Sequence, residues 1–188
     1  MRATTSRYRQ PGYRQPNSGN TYFFTLMSFR RNPILCLPPL RTALRRAIVD
    51  VRATHPFDID AWVLMPDHLH CILTLPEGDL DHATRWATIR SAVSRAALVS
   101  TVSTGTRNPS RIAHRDASIW ERRIDAHPIR DEREFERHVD YIHVNPVRHG
   151  HAASAADWPY STFHRYVKNG VYLPEWNGTR QVEAMWIE

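Results

Sequence analysis

The sequence has little lysine and little cysteine, and it lacks any long apolar run. Lys168 is the only lysine among 25 lysine and arginine residues. The two cysteines, Cys36 and Cys71, are too few to form a disulfide framework in a chain of this size, and their apolar surroundings predict two buried thiols. No apolar stretch approaches the roughly 18 residues that a membrane helix requires. Residues 1–20 lack the apolar centre of a secretory signal. We therefore expect a cytoplasmic protein without membrane contact.

What the sequence does have in excess is positive charge carried by arginine. The formal net charge is +6 and the pI is about 9.8. Such a surface attracts phosphate-bearing partners through Coulomb forces and counterion release. Arginine preference can also follow from codon composition, so the charge favours nucleic acid without proving it. No interface signature predicts an obligate protein partner.

Hydrophobic periodicity divides the 188 residues into an arm, one domain and a tail. The predicted order is strand, helix, strand, strand, helix, strand, helix, which is typical of an α+β ferredoxin-like sandwich with an antiparallel sheet. The predicted elements are a strand at 21–29, a helix from Pro38, a hairpin of strands at 57–65 and 68–75, a helix at 80–99, a loop at 100–110, a strand at 118–124 and a helix after Asp131. Residues 1–20 are predicted to be a flexible basic arm, residues 21–150 the main domain, and residues 151–188 an accessory tail.

Residues 65–75 place two imidazoles one residue apart in an apolar run. Side chains alternate between the faces of a strand, so His68 and His70 point the same way while Leu69, Cys71 and Leu73 point the other way. Two adjacent imidazole nitrogens suit a divalent metal. Taken alone, however, a His-x-His pair is more often two ordinary histidines than a ligand pair.

The helix after Asp131 carries a second group of polar side chains. An apolar stripe of Phe135, Val139 and Ile142 predicts the buried side, with His143 on one flank. Tyr141 lies on the other flank with His138 and Asn145 beside it; as residues i and i+4, Tyr141 and Asn145 are neighbours on the helix surface. Spacing alone does not distinguish Tyr141 from the other tyrosines.

Several segments, in register and in the same order, resemble the REP-associated tyrosine transposases, relatives of the single-strand DNA transposases of bacterial insertion sequences. The match around the histidines, in residues 61–72 and 76–79, corresponds to the family's HUH segment (His, bulky hydrophobe, His). The other matching segments are residues 22–25, 120–121, 139–150 and 157–165. The resemblance therefore covers most of the chain from Tyr22 to Arg165. The doubled Tyr-Arg-Gln-Pro unit of the arm departs from it.

The resemblance implies a set of roles for this chain. His68, His70 and the amide oxygen of Asn145 would bind Mg²⁺ or Mn²⁺, and Tyr141 would be the nucleophile. The implied reaction cleaves and rejoins single-stranded DNA at hairpins of repetitive extragenic palindromes (REP) through a 5′-phosphotyrosine. The resemblance also implies a bacterial, nucleoid-associated location. Because Pro146 disfavours helical geometry in the residue before it, Asn145 is predicted at a fraying helix end. His138 and Asp67 are the fallback ligands.

Arginines in the arm, the second helix, the fourth strand and the tail are candidate DNA contacts, since guanidinium groups bind phosphates and stack on bases. These candidates are Arg9, Arg14, Arg85, Arg90, Arg95, Arg122 and Arg165.

Two other functions remain open. One is a hairpin-binding protein that has lost catalysis, and the other is a metal phosphodiesterase that uses activated water.

Overall fold

The computed structural model describes residues 20–103 and 119–178. Its strands and helices follow one another in the predicted order, with one further short helix at the end. They are β1 Thr21–Ser28, α1 Pro38–Thr54, β2 Asp58–Leu64, β3 His68–Thr74, α2 His82–Ser103, β4 Trp120–Pro128, α3 Glu132–Arg148 and α4 Phe163–Lys168, with 3-10 turns at Phe29–Arg31 and Ala155–Asp157. The predicted arm, with Arg9 and Arg14, lies outside the described residues except for Asn20.

The four strands form one antiparallel sheet in the order β2-β3-β1-β4. This order is that of a ferredoxin-like sandwich, so the predicted fold class is confirmed. Strands β2 and β3 form the expected hairpin, with Val63 opposite His70. On the other side of β3, Thr25 of β1 is the partner of His70. The histidines therefore lie on an inner strand with neighbours on both sides.

The two faces of the sheet carry separate cores. Leu69, Cys71 and Leu73 pack with α1 and α2 in the first core. Ile72 packs in the second core with α3 and with residues 151–178, which we call the C-terminal segment. The alternation predicted for β3 is thus present, and it puts His68 and His70 on the face covered by α3.

Helix α3 begins at a side-chain cap and continues past its proline. The Glu134 backbone N–H donates to Asp131 Oδ1 at 2.7 Å, which satisfies a donor that the first turn leaves free. The helix then runs through Pro146 to Arg148, and Asn145 is fully buried. The prediction of a fraying end at Asn145 was wrong. Because Pro146 lies near the last turn, it removes only one intrahelical hydrogen bond. Burial, together with hydrogen bonds from the His149 and His151 N–H groups to the helix backbone, stabilises the C-terminal end of α3.

The C-terminal segment packs against the domain. Its chain pairs with the outer edge of β2, where the Leu64 N–H donates to Tyr160 O and the Thr162 N–H donates to Trp62 O, both at 2.9 Å. Phe163 is fully buried in the second core. This pairing covers the free edge of β2 and lays the segment beside α3.

Two further predictions need correction. Helix α2 continues to Ser103, so the loop predicted from Ser100 begins later than expected. Cys71 is buried as predicted, but Cys36 is only half-buried. Within the described residues, no helix combines the length and apolar character that a membrane crossing would need.

Candidate active site

Both imidazoles of β3 are held through the same ring nitrogen. His68 Nδ1 lies 2.7 Å from Asp67 Oδ1, and His70 Nδ1 lies 2.9 Å from the Thr25 hydroxyl. A carboxylate can only accept, so His68 Nδ1–H donates to Asp67. The Thr25 hydroxyl can accept the corresponding bond from His70. Each imidazole then carries its lone pair on Nε2, which is the arrangement that orients metal-ligating histidines.

The Nε2 atom of His68 faces the amide oxygen of Asn145 at 3.0 Å. With its Nδ1 proton donated to Asp67, a neutral His68 would set one lone pair against another. A positive charge between them removes this conflict, whether it is a proton on Nε2 or a metal ion. Rotation of the amide removes it as well, because Asn145 Nδ2, which has no partner among the described residues, would then donate to Nε2. Two adjacent ligands of an octahedral ion with bonds of about 2.1 Å lie about 3 Å apart. The spacing of these two atoms therefore fits a metal ion.

The ligand set would combine two imidazoles with an amide. In the described part of the chain, no three His, Cys, Asp or Glu side chains are grouped to hold a metal. The amide of Asn145, which faces His68 Nε2, would supply the third protein ligand. A mixed nitrogen and oxygen set suits Mn²⁺ and accepts Mg²⁺.

Burial and neighbouring charges keep these groups in the protonation states that the site needs. Burial, with the nearby His68, lowers the pKa of His70 well below its ordinary value, so this ring is neutral near pH 7. Burial acts to raise the pKa of Asp67, but the hydrogen bond and charge of His68, together with Arg31, outweigh it and lower that pKa. Asp67 therefore stays ionised as the acceptor for His68.

Tyr141 of α3 lies over the same face of the sheet. Its ring centroid is 5.2 Å from that of His70 and 6.0 Å from that of Phe23. The guanidinium of Arg148, two turns later on the helix, lies 5.9 Å from the Tyr141 ring centre. The Tyr141 side chain is half-buried. Its hydroxyl makes no hydrogen bond to the residues that the structure describes.

The fallback ligands are engaged in other contacts. Asp67 binds His68 at Nδ1, on the opposite side of the ring from Nε2, and also pairs with Arg31 at 2.9 Å. His138 donates from Nδ1 to the Glu134 carbonyl at 2.8 Å, and its ring packs on Phe23. Asp67 therefore orients the His68 ring, and His138 packs with Phe23 and His127 beside the site.

A buried hydrogen-bond network fixes α3 from its far side. Tyr172 Oη donates to Asp140 Oδ1 at 2.7 Å and lies 3.2 Å from His143 Nδ1. His143 Nε2 lies 2.8 Å from the Thr162 hydroxyl. Asp140 and His143 flank the candidate nucleophile in sequence. The C-terminal segment therefore sets the rotation of α3 that turns Tyr141 toward the histidines.

The candidate DNA-binding arginines that the structure describes do not gather at this site. Arg85 is buried, and its guanidinium binds Asp79 at 2.6 Å and the carbonyls of residues 55, 56 and 81. Its predicted availability to solvent or phosphates was therefore wrong. Arg90 and Arg95 also belong to α2, which packs on the face away from His68. Arg90 binds backbone carbonyls of β4, and Arg95 bonds to Ser91.

Two candidate arginines occupy opposite edges of the sheet. Arg122 is exposed on β4, and Arg165 is exposed and donates to the carbonyls of Ile59 and Asp60 on β2. Sequence reasoning missed other residues at the site itself, namely Thr25, Phe23 and Arg148. Arg148 could have been found from its spacing of seven from Tyr141, which returns to the same helix face. Thr25 and Phe23 depend on strand register, for which the sequence carries no local signal.

Comparison with known proteins agrees with this architecture. No family model matches the chain. A REP-associated tyrosine transposase of Escherichia coli K12 is 41% identical over 160 residues, 85% of this chain and 86% of that protein. A putative REP-associated tyrosine transposase of Haemophilus influenzae is 36% identical over 160 residues, 85% of this chain and 89% of that protein. A solved REP-associated tyrosine transposase bound to a REP hairpin superposes with a TM-score of 0.71 at 40% identity, covering 88% of this chain and 90% of that one. This chain therefore belongs to the family of REP-associated tyrosine transposases.

Proposed function

We propose that this protein cleaves and rejoins single-stranded DNA at REP-type hairpins through a 5′-phosphotyrosine on Tyr141. The proposal rests on the packing of α3 against β3. This packing places the Tyr141 ring 5.2 Å from the His70 ring, and it places Asn145 Oδ1 3.0 Å from His68 Nε2. A phenol next to a candidate metal site on an accessible face suits nucleophilic attack on a phosphodiester.

His68, His70 and Asn145 would hold Mg²⁺ or Mn²⁺ through two Nε2 atoms and one amide oxygen. When bound, such an ion neutralises phosphate oxygens and aligns the scissile bond. Asp67 and Thr25 keep the two imidazoles in the required tautomer. Arg148, exposed beside the Tyr141 ring, adds positive charge where a phosphate would lie.

The chemical step exchanges one phosphoester bond for another. The Tyr141 oxygen forms a bond to phosphorus, the bond from phosphorus to the 3′ oxygen breaks, and that oxygen leaves as a 3′-hydroxyl after taking up a proton. The phenolic proton is lost to solvent or a nearby base. Because the phosphotyrosine keeps the ester, another 3′-hydroxyl can reverse the step and rejoin DNA without ATP.

Two observations support a hairpin as the substrate. The solved relative of the same family is bound to a REP hairpin. This chain also has a net charge of +6, which favours a polyanionic partner. A single strand beside a hairpin is flexible enough to bend its phosphate over a half-buried tyrosine, whereas a regular duplex is stiff.

The test is formation of a covalent adduct. Labelled REP hairpins from the protein's own genome are incubated with the chain, with Mn²⁺ and without it, and the mixture is denatured before electrophoresis. We expect a slow-migrating band that needs both Mn²⁺ and Tyr141. Tyr141→Phe removes only the nucleophilic oxygen, so it should abolish the band. Tyr22→Phe is the matched control, since Tyr22 packs against the first core on the other face.

The same experiment separates the alternative functions. Salt-sensitive binding without an adduct, even with Mn²⁺, would show a hairpin-binding protein that has lost catalysis. Release of two free ends, equally by the wild type and Tyr141→Phe, would show hydrolysis by activated water. An adduct that forms at the wild-type rate in Tyr141→Phe would show that the nucleophile is another residue.

A further inference from the structure

The turn that follows β1 contains two consecutive arginines with a left-handed backbone. Arg30 has a φ of +54° and Arg31 has a φ of +55°. Among the residues that the structure describes, every other positive φ belongs to a glycine. A residue with a Cβ adopts this conformation at a cost in stability, and it does so only where the surrounding structure enforces it. The backbone strain of the described chain is therefore concentrated in this one turn.

Backbone hydrogen bonds join this turn to the turn between β2 and β3. The Ser28 N–H, at the end of β1, donates to Asp67 O at 2.8 Å, and the Leu35 N–H donates to Pro66 O at 2.8 Å. Ser28 is fully buried, so its bond is shielded from water. These bonds fix the main chain of Asp67, but they do not fix the rotation of its carboxylate.

The side chain of Arg31 returns from the strained turn to that carboxylate. Arg31 Nε lies 2.9 Å from Asp67 Oδ2, while Asp67 Oδ1 accepts from His68 Nδ1 at 2.7 Å. Each oxygen of the carboxylate thus has its own partner. Because Arg31 holds Oδ2, the carboxylate cannot turn away from His68 without losing a second contact. A continuous chain of contacts therefore leads from Arg31 through Asp67 to a candidate metal ligand.

The stability of the fold does not explain this arrangement. The Arg31 side chain is 51% exposed and that of Asp67 is 21% exposed. An ion pair with this exposure contributes little to stability, because water screens it. A left-handed backbone at a residue with a Cβ lowers stability, and glycine would avoid that strain. The contact of Arg31 with Asp67 therefore points to a role in orientation.

We propose that Arg31 is a positioning residue whose Nε–H fixes the Asp67 carboxylate and thereby holds the His68 ring with Nε2 toward the candidate metal site. The inference rests on the proposed function, in which His68 is a metal ligand. Arg31 acts through Asp67, as an outer partner of a ligand does.

The charge of Arg31 has a separate effect on the site. Burial is the main cause of the lowered pKa values of His70 and His149, and the charge of Arg31 adds to it. Replacement of Arg31 removes this charge together with the Nε–H donor. The variants must therefore distinguish the donor from the charge.

Two neutral variants of matched length make this distinction. In Arg31→Gln, the amide nitrogen follows the same number of bonds as Nε of arginine, so an N–H donor remains. In Arg31→Met, a methyl group takes that place. Both variants lose the charge and keep a Cβ on the left-handed backbone. Arg30→Met is the control, because Arg30 has the same φ and the same charge but lies 5.1 Å from the Phe29 ring centre.

The first measurement uses the metal-free protein with ¹⁵N-labelled histidine. Nuclear magnetic resonance follows the exchange of the His68 Nδ1 proton with water near neutral pH, and absence of the signal in His68→Gln assigns it. We expect this exchange to be roughly 3- to 10-fold faster in Arg31→Met than in the wild type, less than for loss of a direct partner of a ligand. Arg31→Gln and Arg30→Met should match the wild type within about twofold.

The second measurement is Mn²⁺ binding without DNA, followed by electron paramagnetic resonance. Arg31→Met should bind Mn²⁺ roughly 3- to 10-fold more weakly than the wild type, and Arg31→Gln should stay within about twofold of it. Urea denaturation checks that the variants are folded. A merely stabilising contact would change the urea midpoint and leave both the proton exchange and the Mn²⁺ affinity unchanged.

Equal results for Arg31→Met and Arg31→Gln would assign any effect to charge and overturn the inference. An equal loss in Arg30→Met would also overturn it. A wild type that binds no Mn²⁺ would reject the metal site of the proposed function, while the exchange of the His68 proton would still decide the role of Arg31. An adduct that forms with Mn²⁺, together with unchanged proton exchange in Arg31→Met, would reject the role of Arg31 alone.

Discussion

Asn145 Oδ1 lies 3.0 Å from His68 Nε2, although the two residues are 77 positions apart in sequence. A second contact repeats the pairing one turn earlier, where Tyr141 meets His70. Four helical residues rise about 6 Å, and two strand residues span about 6.6 Å. The spacing of Tyr141 and Asn145 on α3 therefore matches that of His70 and His68 on β3. One alignment of the helix along the strand brings both pairs into contact.

Replacement of Asn145 tests its role as an oxygen ligand. Asn145→Ala should raise the Mn²⁺ concentration for half-maximal adduct formation by about tenfold or more, because one ligand is lost. Excess Mn²⁺ should restore much of the adduct, since Tyr141 is intact. Asn145→Asp keeps an oxygen and adds negative charge, so it should require no more Mn²⁺ than the wild type. An unchanged Mn²⁺ requirement in Asn145→Ala would remove Asn145 from the ligand set.

Asp67 should act through His68. Asp67→Ala removes the acceptor that holds the His68 Nδ1 proton, so Mn²⁺ affinity should fall by about 10- to 100-fold. Asp67→Asn keeps an acceptor oxygen and should have a smaller effect. Direct Mn²⁺ binding, measured by electron paramagnetic resonance without DNA, checks this order. Asp125→Ala is the control, because Asp125 is exposed on β4 and pairs with Arg123. Equal losses in Asp67→Ala and Asp125→Ala would contradict the prediction.

The sequence predicts those parts of the site that depend on local periodicity. Alternation along β3 places His68 with His70, and helical spacing places Tyr141 with Asn145, before any tertiary contact is known. The error at Asn145 arose because the local preference imposed by Pro146 is outweighed by burial. Thr25 escaped prediction because its contact with His70 requires the β1–β3 register. Arg85 was misplaced because its partners include the carbonyls of residues 55 and 56, at the far end of another helix.

Tyr172 should position the nucleophile without touching the substrate. Tyr172→Phe removes the bond to Asp140 and the contact with His143, so the free energy of unfolding should fall by about 1–3 kcal/mol. Because Asp140 precedes Tyr141, the rate of adduct formation should fall while hairpin affinity stays near that of the wild type. Urea denaturation and single-turnover adduct assays measure the two effects. Tyr22→Phe provides the comparison, and an unchanged adduct rate in Tyr172→Phe would limit Tyr172 to a stabilising role.

Arg85 should contribute to the stability of the fold, whereas Arg148 should contribute to the salt dependence of hairpin binding. Arg85→Ala leaves three backbone carbonyls and Asp79 without its donors, so we expect a loss of about 2–4 kcal/mol of stability, with the lower end favoured because Asp79 is partly exposed. The salt dependence of hairpin binding should stay the same, since Arg85 is buried on the face away from the site.

Arg148→Ala should leave stability nearly unchanged and reduce the salt slope by about one ion. Urea denaturation and binding titrations over a range of salt concentrations measure both quantities. A reduced slope in Arg85→Ala, measured where the variant is folded, would return Arg85 to the DNA-binding surface.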